Sequence, residues 1–220
     1  DTTLGGDDGI AVAYALAILE DDSLCHPALE VLITVDEEIG LLGAVALDTT
    51  PLKGRYLINL DSEEEGYLWV GCAGGLRTKS RIPVKYQEAE GTKYEITVTG
   101  LLGGHSGSEI DKNRANATLL LGRFLFEARE KGQYVLAELE GGQKDNAIPR
   151  TARALILTDK DTGAELQKFA GTFTGNLRKE YAGSDEGITV TVEVRGEGKE
   201  PALHPVSLEK VLFFLLHYPN

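Results

Sequence analysis

Residues 29–40 constrain the fold more than any other stretch: Leu29-Glu-Val-Leu-Ile-Thr-Val35 runs directly into Asp36-Glu37-Glu38-Ile39-Gly40. A short run of mostly branched apolar residues is expected as a buried strand and is too short for a self-standing helix. Three consecutive carboxylates and a glycine at its exit then sit where an open α/β sheet places its ligand crevice. Like charges gathered there repel one another unless a cation holds them. Taken alone, the acids read better as a solvated turn, so the rest of the chain has to decide.

Two further segments repeat the arrangement. Tyr56-Leu-Ile-Asn-Leu60 is expected as a second buried strand, ending in Asp61-Ser62-Glu63-Glu64-Glu65-Gly66. Ile10–Leu19 is apolar nearly all round and alanine-rich, which suits a helix buried on most sides, with Asp7 or Asp8 at its N-terminus as a cap or as a ligand. Leu68–Cys72 is expected as a third strand. Acids at two strand ends and one helix start point to one convergent site. Of Glu63, Glu64 and Glu65, most should face solvent, since one strand end needs one ligand.

The pattern changes near Arg77. Short strands are expected at 81–86 and 94–98, a helix at about 113–130, strands at 135–139 and 152–156, a helix capped by Asp161 and carrying Leu166, Phe169, Phe173 and Leu177, and a strand at 188–194. That order is the βαββαβ of a ferredoxin-like domain. A loop over 196–205 and a helix over 206–217 close the chain. The expected architecture is therefore an α/β catalytic-domain fragment, a mixed sheet with helices, over residues 1–76, followed by a ferredoxin-like α+β lid or dimerisation domain over 77–220.

The net charge of −13 argues against a nucleic-acid surface, which needs clustered Lys and Arg. No segment approaches the roughly 20 apolar residues needed to span a bilayer. Cys25 and Cys72 form no CxxC and read as small core residues, which suits a reducing cytoplasm. The chain starts at Asp1 inside what reads as a motif and has no methionine, so a fragment with sequence missing on both sides is expected.

Two-metal hydrolases hold their ions about 3.5–4 Å apart with carboxylates from separate strand ends. Asp7, Glu37, Glu38 and Asp61 can supply such a set, and adjacent glutamates on a strand exit point different ways, so one can bind metal while the other moves a proton. None of the histidines, at 26, 105, 204 and 217, lies in an acidic strand-end motif. An all-oxygen site favours hard cations over zinc, unless nitrogen ligands lie outside this chain.

Six segments, taken together and in order, resemble the aminoacyl-histidine dipeptidases (Xaa-His dipeptidases, the cytosolic non-specific type) of the dinuclear zinc metallopeptidases that include aminoacylase. They are Leu4-Gly-Gly-Asp7-Asp8-Gly, Val35-Asp-Glu37-Glu38-Ile-Gly, Leu60-Asp61-Ser-Glu-Glu-Glu-Gly, Gly71-Cys-Ala-Gly-Gly75, Gly103-Gly-His105-Ser-Gly and Asn146-Ala-Ile-Pro149-Arg150. The resemblance implies two Zn2+, with Mn2+ or Co2+ as substitutes. It makes Asp7 the bridging carboxylate, Glu38 and Asp61 metal ligands, and Glu37 the general base. It gives His105 on the lid, Asn146 and Arg150 to the substrate. It also implies a dipeptide substrate and a homodimer formed through the lid.

The chain departs from the family in lacking a His-x-Asp motif and a distal histidine ligand, so this chain alone should be inactive. No role attaches to Asp8, which stands where the family often has Asn. Related readings are an aminoacylase or tripeptidase and, from a different class, a non-catalytic dimerisation module.

Overall fold

In a computed structural model, residues 6–62, 64–72, 74 and 76–218 are described. Asp1–Gly5, which open the first motif, and Glu63, Ala73 and Gly75 lie outside the described residues. The chain divides into two compact units, Asp1–Leu76 and Arg77–Asn220.

Unit 1 contains helix α1 (Gly9–Glu20) and the single turn α2 (Leu42–Val45). The α1 helix forms where alanine-rich composition favours it, but none of its residues is buried. The stretches 29–35, 56–60 and 68–72 are not strands, and their apolar side chains are exposed, Ile33 at 63% and Leu68 at 94%. A strand exists through its ladder, and among the described residues no ladder pairs these stretches. Cys25 and Cys72 are likewise exposed free thiols rather than core residues.

Unit 2 holds the core. A four-stranded antiparallel sheet is built from β1 (Tyr86–Thr99), β3 (Val135–Gly141), β5 (Ala152–Thr158) and β6 (Thr189–Leu203), in the order β3-β5-β1-β6. Helices α3 (Ala117–Ala128) and α4 (Lys160–Glu180) complete the βαββαβ order, and α5 (Pro205–His217) follows. A separate two-stranded ribbon pairs β2 (Gly104–His105) with β4 (Ala147–Ile148).

The ferredoxin-like order read from hydrophobic alternation is the observed one. Along β1 the side chains of Tyr94, Ile96 and Val98 are buried while their neighbours are not, the period of two that puts one face on a core. Between the helices, Phe124 stacks on Phe169 at 5.1 Å and meets Phe173 edge-on at 5.3 Å.

Some boundaries differ from expectation for local reasons. The α3 helix starts at Ala117 because Asn116 caps it, its side chain accepting from Thr118 and Leu119 N–H. Asp159, not Asp161, caps α4, accepting from Thr162 N–H at 2.8 Å. The segment 196–203 is strand rather than loop: β6 pairs with β1 from Thr189↔Thr99 to Leu203↔Tyr86. The register shifts at Lys93/Tyr94, opposite Gly196, whose φ of +93° a side chain would resist.

Replacing Phe124, fully buried between α3 and α4, by alanine is expected to cost about 3–5 kcal/mol, read as a lowered urea midpoint for unit 2 with its slope unchanged.

Candidate functional site

In unit 1, Asp7, Asp8 and Asp61 each offer a carboxylate oxygen, and these oxygens lie within 4.8 Å of one another. Asp8 sits at the N-cap of α1, where Oδ1 accepts from Ala11 N–H at 3.1 Å. Its Oδ2 is buried and has no hydrogen-bond partner among the described residues. An orphaned carboxylate oxygen beside two further carboxylates is a donor set that fits a divalent cation. All three donors are hard oxygens, which suit Mg2+, Ca2+ or Mn2+ as they stand, whereas zinc favours added nitrogen or sulfur.

Asp7 and Asp61, both anticipated as ligands, are brought together here. Glu37 and Glu38 are not in the group; they are exposed in a turn in which Glu37 C=O accepts from Gly40 and Leu41 N–H, both at 2.9 Å. The third member is Asp8, named with Asp7 as a cap or ligand at the helix start but given no role by the family resemblance. Its signal was adjacency to Asp7 at a helix start, which capping alone already explained.

In unit 2, His105 stands on the β2–β4 ribbon opposite Ala147 and is exposed. Its ring Nδ1 accepts from Gly107 N–H at 3.0 Å and from Ser108 N–H at 3.2 Å. The neutral ring must therefore carry its proton on Nε2, which is left as a donor. The backbone N–H of His105 donates to Glu109 Oε2 at 2.9 Å, and Lys112 Nζ donates to Glu109 Oε1 at the same distance. Lys112 first, and then the His105 amide, hold the Glu109 carboxyl below the usual carboxylate range. This tether is complete above the ordinary carboxylate range and is lost as pH falls through the lowered Glu109 value.

The other two predicted residues lie beside this ribbon. Asn146 precedes β4, and its C=O accepts from Ser106 N–H at 3.0 Å. The Arg150 side chain lies over Gly103, with Nε donating to Leu101 C=O at 3.3 Å. A cavity of about 270 Å³ opens alongside, lined in part by Leu101, Gln143, Ile148 and Arg150. Thus His105, Asn146 and Arg150, far apart in sequence, occupy one loop cluster. Among the remaining histidines, His204 caps α5, and His217 stacks on Phe213 with Nδ1 2.8 Å from Phe213 O.

Residues 96–185 match the family described as the peptidase dimerisation domain. The matched residues lie within unit 2. Beyond them, likeness to known proteins extends over nearly the whole chain. It is 39% identical over 194 residues to the cytosol non-specific dipeptidase of Escherichia coli (strain K12), covering 87% of this chain and 40% of that protein. The crystal structure of aminoacylhistidine dipeptidase from Vibrio alginolyticus is 34% identical with a TM-score of 0.75, covering all of this chain and 45% of that one. An uncharacterized Bacillus subtilis (strain 168) protein, YqjE, is 28% identical over 208 residues, 88% of this chain and 49% of its own length. The chain therefore spans less than half the length of the relatives it matches. Among the described residues, no helix is long and apolar enough to cross a membrane.

Calorimetric titration of this chain with Zn2+ is expected to show weak or single-site binding that Asp61→Asn removes. Tight binding of two ions would contradict the all-oxygen donor set.

Proposed function

We propose that this chain is part of a metal-dependent dipeptidase that hydrolyses dipeptides of the Xaa-His type, with unit 1 contributing to the catalytic domain and unit 2 serving as its lid and as the surface of a homodimer. The observation that carries the reading is the gathering of Asp7, Asp8 and Asp61 within 4.8 Å, in a chain 39% identical to a dipeptidase over 87% of its length. Asp7, Asp61 and Glu38 are the proposed ligands of a zinc pair, with Asp8 an added oxygen donor. Nitrogen ligands would come from the remainder of the protein. The bound cations supply Lewis acidity toward the substrate carbonyl and lower the pKa of water.

The remaining roles belong to side chains of this chain. Glu37 takes the proton of the attacking water and passes it to the leaving amine. Glu37 is exposed in the turn. The free Nε2–H of His105 donates to the carbonyl oxygen as negative charge develops there, the change that preorganised donors stabilise most. Asn146 and Arg150 hold the substrate backbone and its terminal carboxylate; among the described residues Arg150 spends only Nε, on Leu101, which leaves its outer nitrogens for a bidentate contact. A cytoplasmic setting fits the two unpaired thiols and the net charge of −13.

In the protein that contains this chain, Glu37→Gln is expected to lower dipeptide turnover by about 10²–10⁴-fold while bound metal, measured by emission spectrometry, stays near normal. Loss of metal together with activity would make Glu37 a ligand instead of a base. Equal activity on N-acylated amino acids and on dipeptides would redirect the assignment to an aminoacylase.

A further inference from the structure

The buried group with no role so far is Asp185. It is 0% exposed, and each carboxylate oxygen accepts from a different backbone amide: Oδ1 from Leu102 at 2.6 Å and Oδ2 from Ala115 at 2.7 Å. Those two amides bracket the loop that carries His105, Glu109 and Lys112. The clamp itself is fixed in place, because Asp185 N–H donates to Tyr181 O at 3.0 Å and Asp185 C=O accepts from Ile188 N–H at 3.3 Å. At the loop's far end, Arg114 Nη1 donates to Ser184 O at 3.3 Å. At its near end, Gly100 has a φ of +81° and approaches Gly187 so closely that neither has room for a Cβ against the other's backbone.

We infer that Asp185 is a positioning residue for His105, an inference that rests on the reading of His105 as the donor to the substrate. A single side chain pins both ends of the loop to the α4–β6 turn through charge-assisted bonds. Within that span the ribbon pairing and Glu109 orient the histidine. An exposed imidazole on an unpinned loop would sample many placements, and small displacements of a catalytic group weaken catalysis steeply. Asparagine at 185 keeps one acceptor oxygen but turns N–H donors toward the second amide, which releases one end of the loop.

The test compares Asp185→Asn with the wild type in the protein that contains this chain, by hydrogen exchange and by dipeptide kinetics. The amides of Leu102 and Ala115 are expected to exchange at least about tenfold faster, with Ile96 and Val98 in β1 still protected. Turnover should fall about tenfold or more with KM nearly unchanged, and adding the substitution to His105→Ala should cost nothing further, because both act through the same ring. Unchanged exchange at Leu102 and Ala115 would overturn the inference. So would a uniform loss of protection across the sheet, which would make Asp185 a support of the whole domain, or additive losses in the double variant. If the wild type cleaves no dipeptide, the proposed activity fails, and the exchange at Leu102 and Ala115 still decides the clamp.

Discussion

Unit 2 is built on the pairing of β1. This strand lies inside the sheet, hydrogen-bonded to β5 on one side and to β6 on the other, and β6 follows it for its whole length. Its inward residues Tyr94, Ile96 and Val98 form the floor on which α3 and α4 pack. Because the side-chain period is two, a slip of one residue would turn all three outward, so burial fixes the register. The His105 loop leaves β1 directly, at Gly100. The register that buries Ile96 therefore also decides where the His105 segment starts, and the β5 register decides where the Asn146–Arg150 segment ends. Burial and site geometry are here one constraint, acting at neighbouring positions of the same strands.

Unit 1 is governed by a different balance. Three carboxylates within 4.8 Å of one another repel, and among the described residues no lysine or arginine pairs with Asp7, Asp8 or Asp61. The Asp8 side chain divides its work: one oxygen satisfies a helix N-terminal amide, and the other is buried with no hydrogen-bond partner among the described residues. Capping also orients the carboxylate, because an N-cap side chain has little freedom once it has accepted its bond. The cap and ligand roles are thus not competitors at this position.

What the sequence could reveal followed from which forces are local. Alternation at Tyr94–Val98 and at 188–194, and the spacing of Leu166, Phe169, Phe173 and Leu177, are local records of a buried face. They lead to the βαββαβ order that the structure has. The extension of β6 to Leu203 was not legible, because Gly196-Glu-Gly198 has the composition of a loop and only its partner strand at 86–92 makes it a ladder. The apolar runs at 29–35 and 56–60 failed for the converse reason, since apolar content can be read from one segment whereas pairing needs two. Among the candidate residues, Asp7 and Asp61 are marked by residue type at element ends, and His105, Asn146 and Arg150 by the motifs that carry the family resemblance. Asp8 already had a sufficient local explanation as a cap, and Asp185 was hidden behind an anonymous polar turn, Gly183-Ser-Asp-Glu-Gly187, whose partners lie far away in sequence.

The histidine loop shows how an exposed residue can still be specified. Nothing buries the His105 ring, so packing cannot choose its rotamer. Its backbone is instead fixed by pairing with Ala147 and by the bond from its amide to Glu109, and its ring by two amides that converge on Nδ1. Of these, the bond to the Glu109 carboxylate is charge-assisted and so stronger than a neutral contact. With Nδ1 taken, the neutral ring presents one chemistry to solvent, an N–H donor at Nε2. A ring held through both nitrogens would be structural, and a ring held through neither could not be aimed. One nitrogen fixed and one free is the arrangement that donation to a developing oxyanion requires.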